Sequence, residues 1–297
     1  MLPLSRARRP VLLIVGCGDI GLRVLRLLQG RFRVLALTSS AARVPALRAA
    51  GALPLVGDLD DAASLGRLAA LADRVLHLAP PPGQGRTDPR TRSLLQALAR
   101  SPRVRRLVYA STSGVYGDAA GAYFDETRAV NPATDRGGRR VAAEAHVRRH
   151  GRAFGVCVSV LRVPGIYALD RDGGDPRERV RRGAPLLVPG DDVYTNHIHA
   201  DDLARACVAA LTRGAPQRVY HASDDTDLKM GDYFDLAADL CGLPRPPRVS
   251  RADAGATFSP VMLSFMSESR RLVNRRLKTE LGLTLRYPTV REGLAGT

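Results

Sequence analysis

Residues 11–21 read VLLIVGCGDIG, five aliphatic side chains running into G-x-G-x-x-G and straight on into an amphipathic stretch. A strand that enters a helix through so tight a turn must pack against that helix closely, which commits the chain to a βαβ layout. Gly16 allows the turn, Gly18 lets a pyrophosphate approach the backbone, and Gly21 lets helix and strand touch. Asp19 and Ile20 open the helix, whose unpaired N–H groups at the positive end of the dipole suit phosphate. The spacing therefore predicts a dinucleotide site.

The same alternation continues downstream. Short aliphatic runs at 33–37, 53–56, 74–78, 105–110 and 156–161 predict further strands, and apolar residues at three- and four-residue spacing predict helices over 19–29, 43–50, 64–70, 90–100, 142–149 and 201–211. The expected fold class is α/β: a Rossmann-type doubly wound parallel sheet with a smaller C-terminal α/β substrate lobe. Residues 1–168 are expected to form the dinucleotide-binding core. Residues 169–297, where Gly- and Pro-rich turns break the regularity, form the substrate lobe, with late elements returning to the core.

Composition sets the class of partner. The 297 residues are 45% hydrophobic and 25% charged, as in an ordinary globular protein. Arg6, Arg8 and Arg9 ahead of the first apolar run imitate a secretory leader, but that run is too short and leads directly into Gly16-Cys17-Gly18, so it reads as a buried strand. It is also too short to span a bilayer. Four cysteines far apart, with no C-x-x-C pair, predict reduced thiols in a cytoplasm and no metal site. Lys and Arg number 45 against 29 Asp and Glu, a formal charge of +16. The arginines recur in almost every segment and no aromatic stacking platform or readout module accompanies them, so the charge reads as solvated surface and dinucleotide attraction rather than a nucleic-acid site.

The second strand ends in Thr38-Ser39-Ser40, with Arg43 following and no carboxylate to accept from ribose hydroxyls. Hydroxyls and a guanidinium suit a 2′-phosphate, so NADP(H) is preferred over NAD(H), unless Arg43 is only a solvated helix residue. After the third strand, Asp58 beside Leu59 either accepts from an adenine amino group or caps the next helix. Leu78-Ala79-Pro80 then makes a stiff turn along the expected phosphate and ribose path.

Taken in order, these motifs resemble the extended branch of the short-chain dehydrogenase/reductase superfamily, the NAD(P)-dependent sugar-nucleotide epimerases and dehydratases. The most specific pieces are residues 107–117, LVYASTSGVYG; 161–167, LRVPGIY; 196–203, NHIHADDL; and 274–293, NRRLKTELGLTLRYPTVREG. The resemblance implies a Ser/Thr at Thr112, with Ser113 beside it, and puts Pro164 over the nicotinamide. It implies substrate contacts at Tyr167, Asn196 and His199, and a monomer or homodimer paired through two long helices. It also implies a proton-transferring Tyr and a ribose-holding Lys, and those positions fall on Arg136 and Arg140. A permanently charged Arg136 cannot donate a proton near neutral pH but can stabilise an oxyanion, and Arg140 retains the donors that a ribose needs. A displaced acid would come from Tyr116, Tyr123, Tyr167 or His199, although a tyrosine in a V-Y-G turn is more often a packed aromatic and a histidine there more often caps or bonds backbone near its helix. Asp125 and Glu126 read as loop-fixing carboxylates.

Three functions remain open: an oxidoreductase, epimerase or dehydratase acting on a small, anionic substrate; a non-catalytic NADP(H)-binding sensor or scaffold; and an arginine-rich nucleic-acid binder. The retained hydroxyl turn and the elaborate C-terminal lobe favour the first.

Overall fold

Seven strands form one parallel sheet, the central ones being aliphatic runs buried on both faces: β1 (Val11–Val15), β2 (Arg33–Thr38), β3 (Leu53–Val56), β4 (Arg74–His77), β5 (Arg106–Thr112), β6 (Cys157–Val163) and β7 (Arg218–His221). The computed structural model describes residues 9–101 and 103–295, so Arg6 and Arg8 lie outside the described residues. The strand order is β7-β6-β5-β4-β1-β2-β3. The connections run outward in opposite directions from β1 and β4, and the crevice beyond the carboxyl ends of that pair is where an open α/β sheet binds its ligand.

Helices cover both faces. The α1 helix (Asp19–Leu28) packs with α6 (Ala200–Arg213) over one face, around Leu25, Leu203 and Cys207. The other face is covered by α3 (Pro89–Ala99) and α4 (Asp135–Phe154), around Leu94, Leu98 and Val147. A short α2 (Val44–Ala49) joins β2 to β3. Thus α6 and β7, from the second half of the chain, belong to the sheet assembly.

Two predicted helices differ from expectation. Residues Ala62–Leu68 form a 3-10 turn, capped by Asp61 and tightened by the Asp58 N–H donating to Ser64 Oγ at 2.8 Å. The segment expected to be helical over 142–149 is twenty residues long, from the Thr134 cap on the Gly137 N–H to the left-handed Gly155. Its arginines are spread around the axis and hide the amphipathic period.

The remaining chain is tied down by two-stranded pairings, among them Gly165–Tyr167 with His197–His199 and Tyr123–Phe124 with Arg271–Leu272. It also supplies α5 (Pro176–Arg181), α7 (Met230–Leu240) and α8 (Pro260–Met266). Among the described residues no helix is long and apolar enough to cross a membrane, and no His/Cys/Asp/Glu cluster forms a metal site.

All four cysteines are free. Burial pushes the Cys17 thiol up to about 11 and that of Cys207 up to about 12. In thiol labelling at pH 8, the half-exposed Cys157 and Cys241 are expected to react first, with Cys17 and Cys207 silent until the protein unfolds; fast labelling of Cys17 would contradict the closed β1–α1 packing.

Candidate functional site

The glycine turn is built by the backbone around it. Leu78 and Ala79 both donate their N–H groups to Val15 O, at 2.8 and 3.0 Å, and hold the end of β4 against the end of β1. Gly16 sits in this junction at φ +83°, where an added Cβ would fall 2.5 Å from Ala79 N. A Cβ on Gly21 would come within 3.1 Å of Cys17 Sγ and 3.4 Å of Ile14 Cγ2, the close contact of helix on strand. Gly18 differs: nothing lies within 4 Å of its added Cβ, and it caps α1, whose first N–H groups open into that space. Ile20 is buried below. Asp19 is answered by Arg23 at 3.0 Å and Arg171 at 3.2 Å. Arg23, buried, also holds Asp170 and Asp201, and so ties α1 to the chain after β6 and to α6.

At the end of β2, Thr38 is buried and its hydroxyl accepts from the Ser40 N–H at 3.2 Å, which leaves Ser39 exposed at the turn. Arg43 is anchored, not free: it donates to Cys17 O at 2.8 Å, placing its guanidinium beside the glycine turn and the serines. Asp58 is exposed and accepts from the Asp60 N–H at 2.9 Å. The helix cap expected as its alternative role belongs to Asp61. Leu59 is buried next to it. Asp60 pairs with Arg90, which also donates to Pro80 O at 3.3 Å and links the loops after β3 and β4.

Pro80 opens a cleft of 780 Å³ that runs to Thr112, Ser113, Arg136, Arg140 and Pro164 and on into the C-terminal lobe. The three hydroxyls after β5 have separate fates. Ser111 donates to buried Glu144 at 2.6 Å, and Thr112 Oγ1 accepts from the Gly114 N–H at 3.2 Å, capping the turn that follows. Ser113 faces the cleft with its hydroxyl unbonded among the described residues. Arg140 donates through one nitrogen to Ala110 O at 2.8 Å and Tyr109 Oη at 3.1 Å. Arg136 makes no hydrogen bond or ion pair among the described residues and lies over the Phe265 ring, 4.2 Å from its centroid.

Several expected donors are used elsewhere. Tyr116, the first candidate acid, is buried: its hydroxyl accepts from Arg162 at 2.6 Å and bonds His221 Nε2 at 2.6 Å, while burial pushes it up to about 12. It belongs to the interior and does not reach the cleft. His199 does not reach it either, because its Nδ1 caps α6 by accepting from the Asp201 N–H at 3.2 Å and its ring lies against Tyr287. Asn196 borders the cleft, but its side chain bridges Arg270 O and the Leu272 N–H at 2.9 and 2.8 Å, so it is a loop clamp, not a free substrate donor. The Tyr123 hydroxyl binds Asp227 on the surface, and the Tyr167 hydroxyl donates to Thr289 O at 3.3 Å while its ring borders the cleft. Glu126 is a buried loop anchor, accepting from the His221 N–H at 2.9 Å and pairing with Arg276.

The sequence reading missed His197, Tyr233, Arg179 and the Glu268–Arg270 pair. His197 is stacked on Tyr233 at 4.0 Å and burial lowers it to about 3, so it is neutral. His197 and His199 stand two apart on one strand; the place of His199 just before the helix marks it as the cap, but nothing local marks His197 as a cleft residue. Arg179 is one of five arginines within residues 171–182, equally anonymous in the sequence.

The model for the NAD dependent epimerase/dehydratase family matches residues 12–222. The chain belongs to that family. A functionally unknown conserved protein from Silicibacter pomeroyi DSS superposes with TM-score 0.80 at 32% identity, covering 96% of this chain and 97% of that one. UDP-glucose 4-epimerase from Thermotoga maritima, solved with UDP-glucose, also gives TM-score 0.80 over 96% of both chains, at 20% identity a likeness of fold. Among curated relatives, a 3-diazoavenalumate denitrifying reductase from a Streptomyces species is 29% identical over 69% of this chain and 68% of its own length. Protein YeeZ of Escherichia coli K12 is 26% identical over 64% of this chain and 61% of its length. The chain thus spans less than two thirds of YeeZ, and only 24% of a trifunctional UDP-glucose 4,6-dehydratase from Arabidopsis thaliana.

Within this epimerase/dehydratase chain, the cleft wall is dominated by guanidinium groups. Arg136, Arg139, Arg140, Arg171, Arg179, Arg182 and Arg270 line it, against the carboxylates of Asp175, Glu178 and Glu268. Glu268 is bound to Arg270 at 2.6 Å, and Asp175 to Arg177.

Proposed function

We propose that this chain is an NADP(H)-dependent oxidoreductase of the epimerase/dehydratase family that acts on a small anionic substrate. The observation that carries the reading is the continuity of the cleft from Pro80, beside the glycine turn, through Ser113 to the arginine-lined wall. The open space over Gly18 and the first N–H groups of α1 fit a pyrophosphate. Asp58 and Leu59 would flank the adenine, and Ser39 with Arg43, whose guanidinium is anchored on Cys17 O, would receive a 2′-phosphate. Leu78, Ala79, Pro80 and Pro164 border the path towards the cleft. A nicotinamide bound there supplies hydride donation or acceptance.

The chain's own groups do the rest. Ser113 and Thr112 orient the substrate oxygen through their hydroxyls. Arg136 stays charged and holds negative charge on that oxygen instead of giving it a proton, so the proton is exchanged with water in the open cleft. Arg140, its one nitrogen fixed by Ala110 O, turns its remaining donors to the ribose. The work is divided between residues 1–168 and the later lobe, and the free thiols suit a reducing cytoplasm.

Titration with NADPH and NADH, followed by nicotinamide absorbance with sugar nucleotides and small oxo acids, tests this. Arg43→Ala is expected to weaken NADPH binding about tenfold, about 1.4 kcal/mol, and to leave NADH binding unchanged. Equal losses for both would remove Arg43 from the 2′-phosphate site. Tight NADPH binding without turnover on any substrate would favour the sensor function that the arginine at position 136 permits.

A further inference from the structure

Five of the seven cleft arginines, Arg136, Arg139, Arg140, Arg179 and Arg182, form no ion pair among the described residues, and two of them, Arg136 and Arg179, rest against the side chains of α8. Arg136, from α4, has only the Phe265 ring. Arg179, from α5, is half-buried: it donates to Pro185 O at 2.9 Å, touches Met262 Sδ at 3.5 Å and lies over the Phe234 ring at 5.1 Å, with its Nε unbonded. Desolvation lowers the pKa of both; at Arg136 the nearby Glu268 carboxylate opposes this and the guanidiniums of Arg140, Arg270 and Arg139 add to it, and at Arg179 that of Arg182 adds to it. Met262 and Phe265 lie three apart on α8, so their Cβ atoms are about 5–6 Å apart and the two guanidiniums rest against one helix a turn from each other. A charge drawn partly out of water without an ion-pair partner costs stability, and a ligand that neutralises both groups would offset that cost.

We propose that the cleft binds a compact dianion, a dicarboxylate or a phosphorylated carboxylic acid, with one anionic group on Arg136 beside Ser113 and the other on Arg179. This rests on the oxidoreductase reading and names its substrate class. Two separated cations match two separated anionic groups better than a single diphosphate. The aromatic faces that would stack a nucleobase are already engaged: Phe265 by Arg136, Phe234 by Arg179, Tyr233 by His197 and Tyr194 by Arg271. The 780 Å³ must also admit the nicotinamide end, and what remains suits a small acid.

Calorimetric titration, with and without NADPH, of 2-oxoglutarate and 3-phosphoglycerate against the monoanions 2-oxobutyrate and glycerate, and of UDP, tests it. At least one dianion is expected to bind tenfold or more tighter than its monoanionic counterpart and tighter than UDP, and the better of the two identifies the second group as carboxylate or phosphate. Arg179→Met and Arg136→Met are each expected to remove that preference. The melting temperature of ligand-free Arg179→Met is expected to equal or exceed that of the parent, because an unpaired charge is lost. Preference for UDP, no dianion binding in either state, or a dianion preference that survives Arg179→Met overturns the proposal. Failure to bind NADPH while the Arg179-dependent preference persists would overturn the cofactor reading alone.

Discussion

Gly16→Ala is expected to destabilise the free protein by about 3 kcal/mol, whereas Gly18→Ala, two residues away, leaves stability almost unchanged and abolishes dinucleotide binding. At φ +83° a side chain costs about 1–2 kcal/mol. The new Cβ would also lie 2.5 Å from Ala79 N and 2.7 Å from Ala79 Cα, atoms that cannot retreat while Leu78 and Ala79 are both bonded to Val15 O. Forcing that overlap adds about 1–3 kcal/mol. Gly18 has φ −82° and open space around its added Cβ, so alanine fits there until a pyrophosphate needs the room. Urea denaturation of both variants, with NADPH titration of the folded one, checks the pair. A loss below 1 kcal/mol at Gly16 would show that the ends of β1 and β4 are not pinned as described.

The second large effect lies in the interior, where Glu144 and Arg162 are almost completely buried. Arg162 reaches both carboxylate oxygens, at 3.1 and 2.7 Å, and also donates to Tyr116 at 2.6 Å, while Ser111 donates to Glu144. Glu144→Leu strands a buried guanidinium and is expected to cost about 3–5 kcal/mol; Arg162→Met strands the carboxylate at similar cost. The double variant is expected to cost less than the sum by about 2–3 kcal/mol, because neither charge is left alone. Additive losses in a double-mutant cycle would mean the two groups are solvated independently. The network bears on function through position: it consumes Ser111 and Tyr116, leaving Ser113 and the arginines to meet a ligand.

What could be read from the chain alone was what local physics dictates. Unbroken aliphatic runs make buried parallel strands wherever they occur, and VLLIVGCGDIG can make its strand-to-helix turn in few other ways, so six of the seven sheet strands and the glycine turn were legible within a few residues. β7 was not: RVYH at 218–221 is four residues with polar ends, and only its pairing with β6 makes it a strand. The length of α4 was hidden because arginines surround its axis, and its limits come from the Thr134 cap and Gly155.

The site divides along the same line. Thr112, Ser113, Arg136 and Arg140 were pointed to by the resemblance to the family, and all four border the cleft. Tertiary structure alone decided which polar groups are free. A tyrosine in V-Y-G is more often a packed aromatic and a histidine before a helix more often its cap, and the structure spends both that way, Tyr116 on Arg162 and His221 and His199 on the α6 N-terminus, whereas Asn196 is claimed by the chain at 270–272. Arg179 shows the converse. Its sequence neighbours are arginines too, but it alone is packed between Phe234 and Met262 with no carboxylate in reach, because hydrogen bonds and ion pairs are satisfied in space and not along the chain.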